Sequence, residues 1–171
     1  MNRPGISATR IYGIRRNGEY RKNRDIQPDF VLLDCPVDSL ETVALSWKKQ
    51  GVEVLYSFRI NNGSFQDYLD GDFDRFFHWD EVQTDRNGNP ILRGPKSPYM
   101  VPTLSFLEFL FSRLKRAVDC GIGEICLEDA EFRANSGYSP AFQTEWELFY
   151  GEPYQQAHLS RQSYHKTQKL K

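Results

Sequence analysis

The sequence predicts an α/β fold in which parallel strands alternate with helices. Strand-like and helix-like patterns follow one another along the chain, which is the order that right-handed strand–helix–strand crossovers produce. No glycine-rich phosphate loop follows the first clear strand, and this disfavours a doubly wound nucleotide-binding fold. A complete (β/α)8 TIM barrel takes about 250 residues, whereas this chain has 171. We therefore expect a partial barrel, about its first half.

The first part of the chain predicts a strand, a helix and a second strand. The apolar run 30–33 ends at Asp34 and indicates a short buried strand. Apolar residues then recur at helical spacing from Asp38, where a capping-box pattern begins, to Gly51, which suits a left-handed helix end. The run 52–60 is rich in β-branched and aromatic residues and predicts the next strand. A further strand is expected before these, near residues 10–14.

The second part continues the alternation after a long loop. Residues 61–102 lack a sustained period, and a loop of this length usually has a function or contains short elements. A helix is predicted over 103–121, a strand over 123–128 and a helix over 139–151. The predicted buried face of the first of these helices consists of Leu104, Leu107, Phe111, Leu114 and Val118. The barrel domain is expected to span 1–154, with 155–171 as a polar, basic tail that begins a truncated helix.

Composition excludes several classes of protein. The 22 Lys and Arg residues balance 23 Asp and Glu residues, so there is no sign of a nucleic-acid binder. No apolar run reaches the roughly 20 residues that a bilayer span needs, and the first residues lack a signal-peptide core. We expect a cytoplasmic protein without membrane contact.

Neither a metal nor a cofactor is expected. The three cysteines form no CxxC pair, and the histidines have no ligand spacing. Acidic residues from Asp70 to Glu81 match part of a calcium-loop pattern, but Arg75 occupies the position that requires glycine.

Candidate site residues follow the predicted strands, because the loops after strand carboxyl ends form the working face of a barrel. Asp34, Arg59 and Asn61 lie in such positions. Three carboxylates emerge from the strand at 123–128, and hydrolysis of a glycosidic bond uses a pair of carboxylates on rigid supports. We expect Glu128 to be catalytic, with Glu131 as second choice. Alternatively, these acids cap a helix, pair with a basic neighbour or face solvent.

The long loop interleaves aromatic residues with carboxylates, a combination that suits the apolar faces and hydroxyl edges of sugar rings. We expect His78, Trp79 and Asp80 to contact such a ligand. The alternative is a small hydrophobic cluster that packs the loop. Packing is the preferred interpretation for Phe73, Phe76 and Phe77.

Three segments carry a resemblance to a known family: HWDEVQTDRNGNPIL from His78, YMVPTLSFLEFL from Tyr99 and ICLEDAEFRANSGYSPAFQTEWELFYGEPY from Ile125. They resemble an uncharacterised family of bacterial glycoside-hydrolase-like (β/α)8 barrel proteins, from about residue 30 onward. The family has a strand ending in a segment of the EEPEF type, and here Asp129 and Ala130 depart from it.

The resemblance implies that the chain acts on or binds a carbohydrate, with strand-end carboxylates in the site. We expect Arg133 to contact the ligand because it follows the strand at 123–128. It also implies that the second catalytic carboxylate comes from a later strand that this chain does not contain. The expected partners are a carbohydrate and either a second copy of the chain or a complementing C-terminal half-barrel. A non-catalytic carbohydrate-binding or interaction module, or an inactive fragment, is the alternative.

Overall fold

A computed structural model of the protein describes residues 12–25 and 27–171. It has a mixed α/β fold with a parallel four-stranded sheet and helices. The elements, in chain order, are β1 (Gly13–Arg16), β2 (Phe30–Leu33), α1 (Val37–Lys48), β3 (Glu53–Arg59), α2 (Gln66–Leu69), β4 (Leu92–Gly94), β5 (Ser97–Pro98), α3 (Leu104–Asp119), β6 (Glu124–Glu128), α4 (Pro140–Tyr150) and α5 (Arg161–Leu170).

The sheet has the strand order β1-β2-β3-β6. Gly13 lies opposite Phe30 and Phe30 opposite Glu53, in parallel pairs, which confirms the predicted alternation. A side chain at position 13 has no room, because a Cβ there would lie 2.0 Å from the Phe30 ring. The first strand occupies 13–16; the predicted start at residues 10 and 11 lies outside the described residues.

The chain divides into two compact units. The first contains the described residues up to Phe58 together with Arg113–Leu127. Its core is apolar, with Trp47 fully buried and its indole N–H donating to Gly18 O at 3.0 Å. No side chain caps α1, whose N-cap is Pro36, so the predicted capping box at Asp38 is wrong. Asp38 instead pairs with Arg116 across 2.5 Å.

The second unit contains Arg59–Ser112 and Glu128–Lys171. One of its cores is an aromatic cluster in which Tyr68 packs on Phe106 and Phe109. The other is built by α4, which buries Phe142 and Trp146. Residues 155–171 include α5, whose N-cap Ser160 accepts from the Ser163 N–H and which packs on α4.

The predicted buried face of α3 is wrong. Leu104, Phe111 and Val118 are exposed, and the buried residues of the helix are Phe106, Phe109, Leu110 and Ala117. Thr103 caps the helix, because its Oγ1 accepts from the Phe106 N–H at 3.1 Å. The helix has apolar residues on two sides, and its period alone does not reveal which side is buried.

Among the described residues, no helix is both long and apolar enough to cross a lipid bilayer.

Candidate functional site at the ends of β3 and β6

The ends of β3 and β6 lie side by side in the second unit. The Ile60 N–H, just after β3, donates to Glu128 O at the end of β6 over 3.0 Å. Because neighbouring strands here run in the same direction, the loops that follow them emerge at one edge of the sheet. We call the polar side chains gathered there the strand-end cluster. Its members are Arg59, Asn61, Asn62, Gln83, Arg93, Asp129, Glu131 and Arg133.

Asp129 is at the centre of the cluster. Its backbone has a φ of 60°, a left-handed conformation that aspartate tolerates better than most residues but that is uncommon outside glycine. Its Oδ2 lies 2.6 Å from Arg93 Nη1 and 3.4 Å from Arg59 Nε. Arg93 Nη1 also donates to Asn62 Oδ1 at 3.0 Å. Two arginines therefore hold one partly exposed carboxylate at the strand end.

Two buried amide side chains complete the cluster, and each has one atom without a partner. Asn61 is 6% exposed and Asn62 is 1% exposed. Asn61 Nδ2 donates to Glu131 O, but its Oδ1 finds no hydrogen-bond partner in the part of the chain that the structure describes, and neither does Asn62 Nδ2. Buried polar atoms are nearly always paired, so an acceptor and a donor left open side by side in sequence need an explanation.

Gln83 fastens the loop after β6 to the rest of the unit. Its Nε2 donates to Met100 O at 3.0 Å and to Glu131 O at 3.2 Å, and its Oε1 accepts from the Arg133 N–H at 3.0 Å. All three hydrogen bonds go to backbone atoms. Gln83 therefore positions the loop that carries Asp129.

The two predicted catalytic residues have different surroundings. Glu131 forms an ion pair with the Arg133 guanidinium, which lies 5.2 Å from the centre of the Tyr99 ring. Glu128 is the last residue of β6 and is partly buried. The catalytic roles of Glu128 and Glu131 and the substrate contacts of Arg59, Asn61 and Arg133 stay predictions.

His78 belongs to a separate polar network in the same unit, which we call the Glu81 network. The Glu81 carboxylate is buried and accepts from Tyr68 Oη at 2.6 Å and from Ser105 Oγ at 2.6 Å. Thr103 Oγ1 donates to it over 2.8 Å. Burial and the hydrogen bond to Glu81 raise the pKa of Tyr68.

His78 lies between two carboxylates. Its Nδ1 is 3.3 Å from Glu81 Oε1 and its Nε2 is 2.9 Å from Asp74 Oδ2, while its ring stacks on Tyr68 at 3.9 Å. The hydrogen bond from His78 lowers the pKa of Asp74. Both ring nitrogens are thus occupied within the protein, and the ring is buried. The substrate contact predicted for His78 stays a prediction.

The neighbours of His78 face outward. Trp79 is partly exposed, and its indole N–H donates to Asp70 Oδ1 at 3.0 Å; Asp80 is exposed. Phe73 contacts Tyr68, but Phe76 and Phe77 are 69% and 76% exposed, so their predicted packing role is wrong. Within residues 12–25 and 27–171, no group of three His, Cys, Asp or Glu side chains is arranged to hold a metal ion.

Asp34 belongs to the first unit, where its carboxylate lies 3.5 Å from Arg15 Nη1. A surface depression of about 640 Å³ in that unit is lined by Arg16, Arg21, Arg24 and their neighbours. Arg16 Nε donates to Asp25 Oδ1 there at 2.8 Å. None of the predicted site residues lines this depression.

Four members of the strand-end cluster were not predicted as site residues: Asn62, Gln83, Arg93 and Asp129. Asn62 follows Asn61 directly, and its place after a strand could have identified it. Gln83 and Arg93 reach the cluster through pairing inside the long loop, where isolated bridges join Asn62 to Tyr99 and Val82 to Met100. No local pattern in the sequence signals these bridges.

Comparison with known proteins gives limited similarity. No protein-family model matches the chain, and no curated protein does. A noncanonic maltogenic α-amylase, AmyB from Thermotoga neapolitana, is similar in structure with a TM-score of 0.40 and 13% sequence identity. The likeness covers 66% of this chain and 25% of the amylase chain.

Proposed function

We propose that the strand-end cluster binds a carbohydrate and that the sheet is part of a barrel of the (β/α)8 type. The observation that carries the proposal is the pair of buried amide atoms that have no hydrogen-bond partner among the described residues, Asn61 Oδ1 and Asn62 Nδ2, on side chains that are more than nine-tenths buried. Leaving a buried polar group unpaired costs about 1–3 kcal/mol. A ligand that pairs with both atoms removes that cost.

Sugar hydroxyl groups match the chemistry of these atoms. Each hydroxyl both donates and accepts hydrogen bonds, so vicinal hydroxyls of one ring can donate to Asn61 Oδ1 and accept from Asn62 Nδ2. Asp129 and Arg93 add a charged acceptor and a charged donor beside them. Binding sites of this kind use a few convergent polar groups to fix the orientation of a ligand.

Binding is better supported than hydrolysis. Glycosidic cleavage uses two carboxyl groups, one of which acts as an acid, and in the cluster Asp129 pairs with two arginines while Glu131 pairs with Arg133. Glu128 keeps hydrolysis as the second candidate function, because it ends β6 next to the cluster and is partly buried.

Calorimetric titration with maltose-, cellulose- and xylan-derived oligosaccharides tests the binding proposal. We expect at least one series to bind, and Asn62→Asp to weaken that binding at least about tenfold by replacing the open donor with an acceptor. Asn87→Asp, the same change in an exposed turn, is the control and should bind like the wild type. Absence of binding in all three series, or equal binding by both variants, contradicts the proposal.

Product chromatography of the same mixtures separates binding from hydrolysis. If Glu128 is catalytic, the wild type releases shorter sugars and Glu128→Gln binds without releasing them. If the protein only binds, neither preparation changes the oligosaccharide.

A further inference from the structure

A stripe of apolar side chains runs along the exposed side of α3. Leu104, Leu107, Phe111, Leu114 and Val118 follow one another at alternating intervals of three and four residues, the spacing of a coiled-coil seam. Leu104, Phe111 and Val118 are 79%, 65% and 56% exposed, and Leu107 and Leu114 between them are partly buried. The opposite side of the helix packs against the protein and buries Phe106, Phe109, Leu110 and Ala117. We call the five seam residues the α3 stripe.

Charged residues flank the α3 stripe on one side only. Glu108 directly follows Leu107 and Lys115 directly follows Leu114, so both occupy the same flanking position one heptad apart. The equivalent positions on the other flank are Leu110 and Ala117, which are buried. Lys115 also pairs with Asp119 at 2.8 Å, but both side chains are mostly exposed, and exposed pairs of this kind contribute little.

The charges along α3 are complementary to those of a second α3 that runs in the opposite direction. If a second α3 lies antiparallel about a twofold axis between Ser112 and Arg113, Phe111 packs against Leu114 of the second copy and Leu107 against its Val118. In the same register, Glu108 faces Lys115 of the second copy, and symmetry repeats the pair. A parallel arrangement would place each charge beside a buried apolar flank and would form neither pair.

We propose that the α3 stripe is a homodimer interface at which two copies of this chain pair their α3 helices in antiparallel orientation. One pair of short helices buries less than the roughly 1,600 Å² of a standard interface. The dimer is therefore expected to be reversible, with a dissociation constant in the micromolar range. This surface is separate from the strand-end cluster, and its role does not depend on carbohydrate binding.

Sedimentation velocity across a concentration series tests the proposal with three charge variants. The wild type should shift from 20.0 kDa toward twice that mass between about 1 and 100 µM. Glu108→Lys and Lys115→Glu should each weaken the dimer at least about fivefold, because each creates two like-charge contacts. The double variant should restore the affinity of the wild type. Glu41→Lys on α1, the same charge change at an exposed helical site, should have no effect.

A wild type that stays monomeric throughout the series overturns the proposal. The proposal is also overturned if the single variants dimerise as tightly as the wild type, or if the double variant does not regain the affinity of the wild type. Either result assigns association to another surface. All of the altered positions are exposed, and circular dichroism confirms that each variant keeps its helices.

Discussion

The Glu81 network and the strand-end cluster are two polar groups in the same unit, and they differ in how completely their atoms are paired. Glu81 accepts hydrogen bonds from three hydroxyl groups, and His78 has a carboxylate partner at each ring nitrogen. In the strand-end cluster, two buried amide atoms have no partner among the described residues. Residues of both groups were predicted from the sequence, but of the two groups only the strand-end cluster leaves a buried donor and a buried acceptor without a partner among the described residues.

A segment rich in polar residues is therefore a weak indication of a binding site. The loop from Asp70 to Glu81 combines acids, aromatics and a histidine, yet many of its polar atoms are paired within the protein. Asp70 accepts from Gln66 and Trp79, and Asp74 accepts from His78. Satisfied networks of this type specify a unique structure. Unsatisfied groups at a strand end point to a ligand.

The largest expected effect comes from removing the centre of the Glu81 network. Glu81→Ala leaves the hydroxyls of Tyr68, Thr103 and Ser105 without their acceptor, and we expect the free energy of unfolding to fall by about 3 kcal/mol. Urea unfolding followed by circular dichroism measures the change. Asp80→Ala, at the exposed neighbouring position, should lie within about 0.5 kcal/mol of the wild type. A loss below about 1 kcal/mol for Glu81→Ala would show that the Glu81 network contributes little to stability.

The next largest effect is expected for Asn62→Asp in the strand-end cluster, where both the free energy of unfolding and the oligosaccharide affinity are measured. Asn62→Asp keeps the acceptor that Arg93 contacts and eliminates the open donor. Because the new carboxylate is buried and gains Arg93 as a charged partner, we expect the free energy of unfolding to fall by about 1–2 kcal/mol, while oligosaccharide affinity falls at least about tenfold, or 1.4 kcal/mol. Parallel urea unfolding and calorimetry measure both quantities. A severe loss of stability would show that Asn62 is structural, like Glu81.

A smaller effect concerns the backbone of Asp129. Its φ of 60° is costly for a residue that has a Cβ but no side-chain hydrogen bonding, by about 1–2 kcal/mol. Asp129→Ala should therefore lose about 1 kcal/mol more stability than Asp129→Asn, because asparagine also tolerates this conformation. Both variants lose the carboxylate charge, but asparagine keeps an oxygen that can accept from Arg93, so the backbone accounts for only part of their difference. Equal stabilities would mean that the backbone relaxes in the alanine variant.

The smallest effect is the acid dependence of the loop. The His78 hydrogen bond holds the pKa of Asp74 below its ordinary value of 3.8, so the stability that this carboxylate contributes is present above that pH. It is lost as the pH falls through the ordinary and then the lowered pKa, because the unfolded state takes up the proton before the folded state does. The stability difference between wild type and Asp74→Asn should shrink below about pH 4. Asp72→Asn, at an exposed site in the same loop, should show no such trend.

The sequence predicted the sheet and the long helices because these depend on local patterns. β2, β3, α1, β6 and α4 all lie where periodicity and end signals placed them. The buried face of α3 was wrong because the helix has two apolar sides, Phe106 to Leu110 on one and the α3 stripe on the other. Tertiary packing chooses between them, and that choice is not a local property.

The candidate site was predicted only in part, for a related reason. Arg59, Asn61 and Glu131, which were predicted from their positions after strands, lie in the strand-end cluster. Gln83 and Arg93 lie 24 and 34 residues beyond Arg59 in sequence, and bridges inside the long loop bring them to the strand ends. Such bridges form between short segments without alternating patterns, which are too brief to identify from one sequence.

The most direct test of the binding proposal is to observe the side-chain amide groups during an oligosaccharide titration by two-dimensional NMR. Asn62 Nδ2 has no hydrogen-bond partner among the described residues, whereas Gln83 Nε2 donates to two backbone carbonyls. We expect the Asn62 side-chain amide signals to shift until the protein is saturated with ligand, and the Gln83 signals to shift much less. Binding that leaves the Asn62 amide unchanged would contradict the binding proposal and would place the ligand elsewhere on the protein.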